Sequence, residues 1–587
     1  MPHMTHISAL CCMLFAYLLL GVSYYGWGRV AAFCLGVSNE KPESFALPVW
    51  LGWAFTLLLF QIAHFFFSLT AYVSIPVFAL GFVFAILQTR PGVRSYFVSQ
   101  GELILLAIGV VLFLGVAVWI ASRSMLPPTH WDLGLYYLNT IRWINTYPIV
   151  PGLGNLHGRL AFNHSFFTYV AALNLYPYFG HGCSLANSFL FLIVLATLFP
   201  SVASVIRQPS RLMLEHPFRY ISDLFLLPIL VFIALFSDGI ASATADLASA
   251  LLQLTMFILL AHGIAEWLQG QKAQRYRATV LVVLAATAVT VKLSNLAFSS
   301  VILGFTSAYA WRTSHPSSLK GVFRFLMPAV LAIPVWCLRG IILSGVPLFP
   351  STIGWVAVDW AVPKEKIIDT ANWVYSWARM PRVPWQDVLS SWAWLNPWLH
   401  RIAKYHRIDV IYPVLWTASF CLIAAGVARL TKARRPYDLE WAILLPPVAS
   451  LVYWFFTAPD PRFSAACFFL AAISSILLFF VAAQGNIRRG MFIVTVGTIF
   501  CMGSVLLLSN AFIHNRKILQ VSNAGWHVIP AASLNRRITV SGFAVYTPRR
   551  GDACWDSPLP CTPYFDAHLR LRVPGRMVSG FTVQKEK

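Results

Sequence analysis

Windows of about twenty apolar residues recur along most of this chain, each long enough to cross a hydrocarbon core of roughly 30 Å as a helix. They fall near 7–24, 46–66, 70–88, 102–121, 184–204, 222–236, 246–264, 279–291, 296–311, 325–341, 409–428, 440–456, 464–483 and 491–509. Backbone in lipid must satisfy its own polar groups, which leaves helices or a closed barrel, and no long alternating pattern suggests a barrel. Only 11% of the 587 residues are charged and 58% are hydrophobic, against roughly 25% charged in an average soluble protein. The expected fold is an all-α polytopic membrane protein of about 14 transmembrane helices.

The net charge of +22 sits largely in short connections between spans: Arg90 and Arg94; Arg207, Arg211 and Arg219; Lys272, Arg275 and Arg277; Arg312, Lys320 and Arg324; Arg429, Lys432, Arg434 and Arg435; Arg488 and Arg489. By the positive-inside rule these connections are cytoplasmic, and a nucleic-acid partner is an unneeded hypothesis. The expected location is then a bacterial inner membrane, with 122–183, 237–245, 292–295, 342–408, 457–463 and the tail from 510 on the periplasmic side. The expected organisation is N-terminal spans over 1–121, a first large loop over 122–183, central spans over 184–341, a Trp-rich loop over 342–408, C-terminal spans over 409–509 and a tail over 510–587.

Residues 165–182, SFFTYVAALNLYPYFGHG, are apolar enough to suggest a span but are short and broken by Pro177, so they read as an amphipathic helix on the membrane surface. The Trp- and Pro-rich stretch 342–408 reads as short interfacial helices. In the tail, RITVSGFAVYTP reads as strand within a small cap, and Cys554 and Cys561 suit a disulfide loop formed in an oxidising compartment, the alternative being two free surface thiols.

Polar chemistry concentrates in THWDLGLYYLNTIRWINTYPIVPGLGNLHGRLAFNH, residues 129–164. Asp132 follows a span closely and precedes an amphipathic helix, so it reads either as an N-cap or as a general base at the membrane rim. Gly152, Gly154 and Gly158 miss the GxGxxG spacing, which excludes a dinucleotide site and leaves Asn155, His157, Arg159, Asn163 and His164 as polar candidates around tight turns. His157 and His164 lack metal-ligand spacing with a carboxylate, so no metal site is assigned. Lys292 and Arg339 are isolated cations at span ends, read either as snorkelling or as converging on a phosphate. Asp460 and Arg462 share a very short loop, as a local ion pair or as part of the same site, and Asp246 reads as a cap of the span it precedes.

Over these residues the sequence resembles a group of uncharacterised bacterial membrane proteins, with later LSGVPLFP, TAPDPRF and CWDSPLPCTP stretches. Its architecture resembles the GT-C class of membrane glycosyltransferases: an outer loop with an acidic residue after a span, surface helices, then further spans. The resemblance implies hexosyl or pentosyl transfer from a polyprenyl-phosphate-linked sugar donor to a hydroxyl of a glycan or glycolipid acceptor, with inversion. Asp132 would be the base, and Lys292, Arg339 and Arg462 would hold the leaving phosphate, with Arg159, His157, Asn163 and His164 lining the site. GT-C loops often carry an acidic pair, whereas Asp132 stands between Trp131 and Leu133, so a divalent cation is possible without being indicated and no other cofactor is expected. Rival readings are an O-antigen-type polymerase or ligase leaning on Arg and His, and a glycolipid transporter or flippase with charges at the bilayer midplane.

Overall fold

The computed structural model describes residues 5–583 apart from 41, 89–99, 208–211, 214, 269–273, 314–318, 431–437, 484–488, 515–525 and 527–528. Much of the basic sequence assigned to the cytoplasmic side, including Arg90, Arg94, Arg211, Lys272, Lys432, Arg434, Arg435 and Arg488, lies outside the described residues. Elsewhere the chain is mostly helical, with a small β region at its C-terminal end. Among the described residues nine helices are long and apolar enough to cross a membrane, and four shorter apolar helices accompany them, so the chain reads as a multi-pass membrane protein.

Setting single turns aside, the first four helices are α1 (His6–Cys34), α2 (Ala46–Ala63), α3 (Ala71–Gln88) and α4 (Gln100–Ser124). After the loop helices α5 (Leu138–Thr146) and α6 (Ser165–Leu173) come α7 (Gly182–Arg207), α8 (Pro217–Phe236), α9 (Ala245–Leu268), α10 (Arg275–Val291), α11 (Leu296–Thr313) and α12 (Leu319–Ser344). A second loop carries α13 (Lys364–Arg379) and α14 (Leu395–Tyr405), and α15 (Tyr412–Leu430), α16 (Leu445–Thr457), α17 (Cys467–Ala483) and α18 (Arg489–His514) complete the bundle. The helix α9 is buried along almost its whole length, packed by α7, α8 and α10. Prolines punctuate the ends in the expected way: Pro217 opens α8 and prolines open α16, where a missing N–H leaves no intrahelical bond unmade.

The 165–182 segment departs from its expected surface position. Its helix stops at Leu173, and all nine residues of α6 are buried against α2, α5 and α7. Asn145 and Asn174 explain how a polar loop can be held so deeply. Asn145 Nδ2 donates to the carbonyls of Leu69 (2.5 Å) and Ala171 (2.8 Å), while its Oδ1 accepts from Asn174 Nδ2 (2.9 Å). The Trp-rich loop does lie on the end of the bundle, with Trp373, Trp377 and Trp392 exposed. Arg379 anchors it by donating to the carbonyls of Thr457 (2.8 Å) and Phe456 (3.0 Å), which are left open at the end of α16.

RITVSGFAVYTP forms a hairpin where one strand is expected. Antiparallel β1 (Leu534–Ile538) and β2 (Ala544–Pro548) flank a turn at Gly542, whose φ of 79° places it in the left-handed region. A second pair, β3 (Leu569–Leu571) and β4 (Phe581–Val583), is also antiparallel, and Cys554 and Cys561 are disulfide-bonded. This cap is stitched to the first loop: Trp555 N–H donates to Gly134 O (2.8 Å), Phe581 N–H to Pro151 O (2.9 Å), and Arg142 pairs with Asp556 (2.9 Å). It also meets the Trp-rich loop, through Arg572 with Asp359 (2.6 Å) and Lys366 with Asp566 (2.5 Å). Both large loops and the tail therefore share one end of the bundle. At the other end Glu43, between α1 and α2, pairs with Arg219 (3.2 Å) and Arg277.

Candidate active site

Asp132 is the pivot of the shared end. It has helical backbone angles and its side chain caps nothing, so the N-cap reading does not hold. Its carboxylate instead takes two arginines from distant parts of the chain: Arg159 Nη1 donates to Oδ1 at 3.2 Å, and Arg462 Nη1 to Oδ2 at 2.9 Å. The backbone that follows, Leu133–Tyr137, is a buried π-helical turn, a local widening that is uncommon and recurs at functional sites. It sets the Tyr136 ring 5.8 Å beneath the Arg159 guanidinium. Gly134 in this turn allows the cap to close over it, because a Cβ there would lie 2.8–3.0 Å from the Trp555 indole.

A second carboxylate joins the group. Asp246, at the start of α9, pairs with Lys292, which stands in extended backbone between α10 and the next turn. Lys292 is therefore compensated and does not snorkel. Its Nζ lies 4.2 Å from the centre of the Phe463 ring, and the same ring carries the Arg462 guanidinium at 4.7 Å. Phe463 thus spaces two cations whose carboxylates, Asp132 and Asp246, come from separate elements. Asp460 orients the short loop by accepting from Arg462 N–H at 3.2 Å. On the far side Asp238 accepts from Thr129.

The electrostatics follow from this packing. Burial alone would weaken the Arg462 charge, but Asp132, Asp246 and Asp460 outweigh it and hold the guanidinium firmly protonated. Burial keeps His130 below the ordinary imidazole range despite Asp132 and Asp246. The site sets Asp132 and Asp246 against Arg159, Arg462 and Lys292, with Asp460 also 3.8 Å from Arg462 Nε; Arg159 and Arg462 are each more than a third accessible and hence free to regroup.

The other candidates separate from this centre. His157 is buried edge-on to the Tyr564 ring (5.2 Å), where burial and then Arg159 push it down to about 3. Asn155 donates to the carbonyls of Trp360 (2.9 Å) and Phe581 (3.3 Å), and Asn163 to Trp336 O (2.6 Å), so both amides fasten the loop to its surroundings. His164 stacks on Phe162 and is driven to about 3 by burial and then Lys292, with Asp246 and Asp132 opposing. Arg339 is only 3% exposed and donates to His64 Nδ1 at 2.9 Å; none of its contacts is with Asp132. Asp246 and Phe463 are the components that sequence reasoning did not assign. The signal for Asp246 was its position opposite Lys292 at the head of a span, two charges at the same depth.

A family described as Domain of unknown function (DUF8201) matches residues 10–470. No curated protein and no solved structure matches the chain.

Proposed function

The chain belongs to the DUF8201 family, and from the geometry of its site we propose that it is a membrane glycosyltransferase of about fourteen crossings, resembling the GT-C class. It moves a sugar from a polyprenyl-phosphate donor to a hydroxyl of a cell-envelope glycan or glycolipid, on the periplasmic face of the inner membrane. The observation that supports this most directly is Asp132 held between Arg159 and Arg462 beside the Asp246–Lys292 pair. A phosphate donor and a hydroxyl acceptor need that combination of a carboxylate and clustered cations.

The donor phosphate competes with Asp132 for the arginines. Arg159 makes the longer contact, at 3.2 Å, and is the one to turn toward phosphate, which frees Oδ1 for the acceptor. The acceptor oxygen forms the new bond to the anomeric carbon from the face opposite the phosphate, and its proton passes to Asp132. The anomeric C–O bond to phosphate breaks, the electron pair leaves on the phosphate oxygen, and Arg462 with Arg159 stabilises that growing charge. In-line attack gives inversion.

The test is to incubate the purified protein with radiolabelled polyprenyl-phosphate sugars and membrane acceptors, and to read the anomeric configuration of any product by NMR. Labelled product of inverted configuration is expected; absence of transfer from every such donor sinks the proposal.

A further inference from the structure

A second polar pocket lies between α12 and the first loop, lined by Arg339, His64, Asn163, His164, Leu343 and mostly apolar neighbours. The Tyr147 carbonyl can only accept, so His64 Nε2, 3.1 Å away, carries the ring proton and Nδ1 is the lone pair that receives Arg339 Nη1. Arg339 is thus a buried cation whose partner is neutral, and among the described residues no carboxylate pairs with it. A buried charge without a counter-charge is costly, and among the described residues the hydrogen bond to His64 offsets only part of that cost.

Three buried polar atoms of the lining are also unpartnered: Arg339 Nε, His164 Nδ1 and Asn163 Oδ1. With Nη1 occupied, the guanidinium still offers its Nε edge to an oxyanion. Asn163 Nδ2 is committed to Trp336 O, so its Oδ1 is a fixed acceptor in need of a donor. An ionised carboxylate has no proton to give it, whereas a singly protonated phosphate has both negative oxygens for Arg339 and an O–H for Asn163.

We propose that this cavity is a phosphate-binding pocket in which Arg339 and Asn163 recognise a protonated phosphate group, distinct from the Asp132 centre. The phosphate is either free or the headgroup of a lipid phosphate monoester. The pocket does not depend on sugar transfer, and His164, which lines the cavity and feels Lys292, Asp246 and Asp132, is where the two sites adjoin.

The full chain in nanodiscs is tested by equilibrium dialysis with radiolabelled inorganic phosphate, against dodecyl phosphate and acetate as competitors. Saturable phosphate binding is expected, retained in Arg462→Gln, weakened at least about tenfold in Arg339→Gln and not displaced by acetate. Displacement by dodecyl phosphate at lower concentration than by unlabelled phosphate identifies the lipid headgroup as the source; equal potency identifies the free anion. As a check on folding, Leu343→Trp fills the cavity with Arg339 retained and is expected to abolish binding, and phosphate is expected to raise the wild-type Tm. Absence of saturable binding with no phosphate effect on the wild-type Tm, undiminished binding in both Arg339→Gln and Leu343→Trp, or loss confined to Arg462→Gln overturns the proposal.

Discussion

At the scale of single residues, Asp132 shows how one side chain can be misassigned by local rules. Its sequence context suits an N-cap, yet both oxygens are engaged by Arg159 and Arg462. The second of these partners is far away in sequence, so no window of residues around Asp132 could reveal it. Arg462→Gln should therefore impair transfer by at least about tenfold while changing stability by less than about 1 kcal/mol, because the pair is partly solvated; thermal unfolding and initial rates on one preparation check both. His157 makes a separate prediction. Its folded pKa of about 3 lies below its ordinary 6.5, so the unfolded chain binds more protons as the pH drops below about 6.5. Stability is then lost from about pH 6.5 downward toward 3, by at most roughly 1.4 kcal/mol per pH unit for this one group. His157→Gln should flatten that slope in unfolding measured between pH 7 and 5; an unchanged slope would show that the burial assigned to His157 does not control its protonation.

At the scale of elements, the cap and the first loop behave as one piece. Gly152 has φ +64°, and a Cβ on it would stand 2.2 Å from Phe581 O and 2.8 Å from Trp360 O. Gly152→Ala combines left-handed strain with a backbone clash and should cost roughly 1–3 kcal/mol, seen as a lower Tm and faster proteolysis of the tail. Replacing Cys554 and Cys561 together by Ser should cost about 2–4 kcal/mol, mainly in cap integrity; equal protease resistance in oxidised wild type and the double variant would count against it. The helices themselves were legible, because apolar runs of span length have few alternatives. The cysteine pair was legible from its spacing. What escaped was the burial of α6: the segment is short and broken by Pro177, which suits a surface position, and only Asn145, 26 residues from the Ala171 carbonyl it binds and joined to Asn174 just past the helix end, explains why it sinks into the protein. The hairpin escaped for a smaller reason, since a Ser-Gly pair inside a β-branched run was read through as strand although Gly542 turns the chain.

Across the whole molecule, the charges sort by end. Asp132, Arg159, Arg462, Asp246 and Lys292 gather beneath the two large loops and the cap, while Glu43, Arg219 and Arg277 tie the opposite end. In a protein whose other free cysteines are replaced, a thiol at exposed Ser391 and one at exposed Asn39 should react with an impermeant reagent from opposite sides of sealed vesicles. Labelling of both from one side would refute the arrangement. Hydropathy was enough to place both loops and the tail together, but not to say which of their polar residues meet. Lys292 and Arg339 look alike in sequence, as lone cations at span ends; Asp246 draws the first into the carboxylate cluster, and His64 holds the second in its own cavity. On the function proposed for this chain, Asp132 is the base of a sugar transfer. Its most direct test is the initial rate of transfer from a radiolabelled polyprenyl-phosphate sugar by wild type and Asp132→Asn at matched folding. A fall of about 10²–10⁴-fold is expected in the variant, and equal rates in the two proteins would overturn the assignment of Asp132 as base.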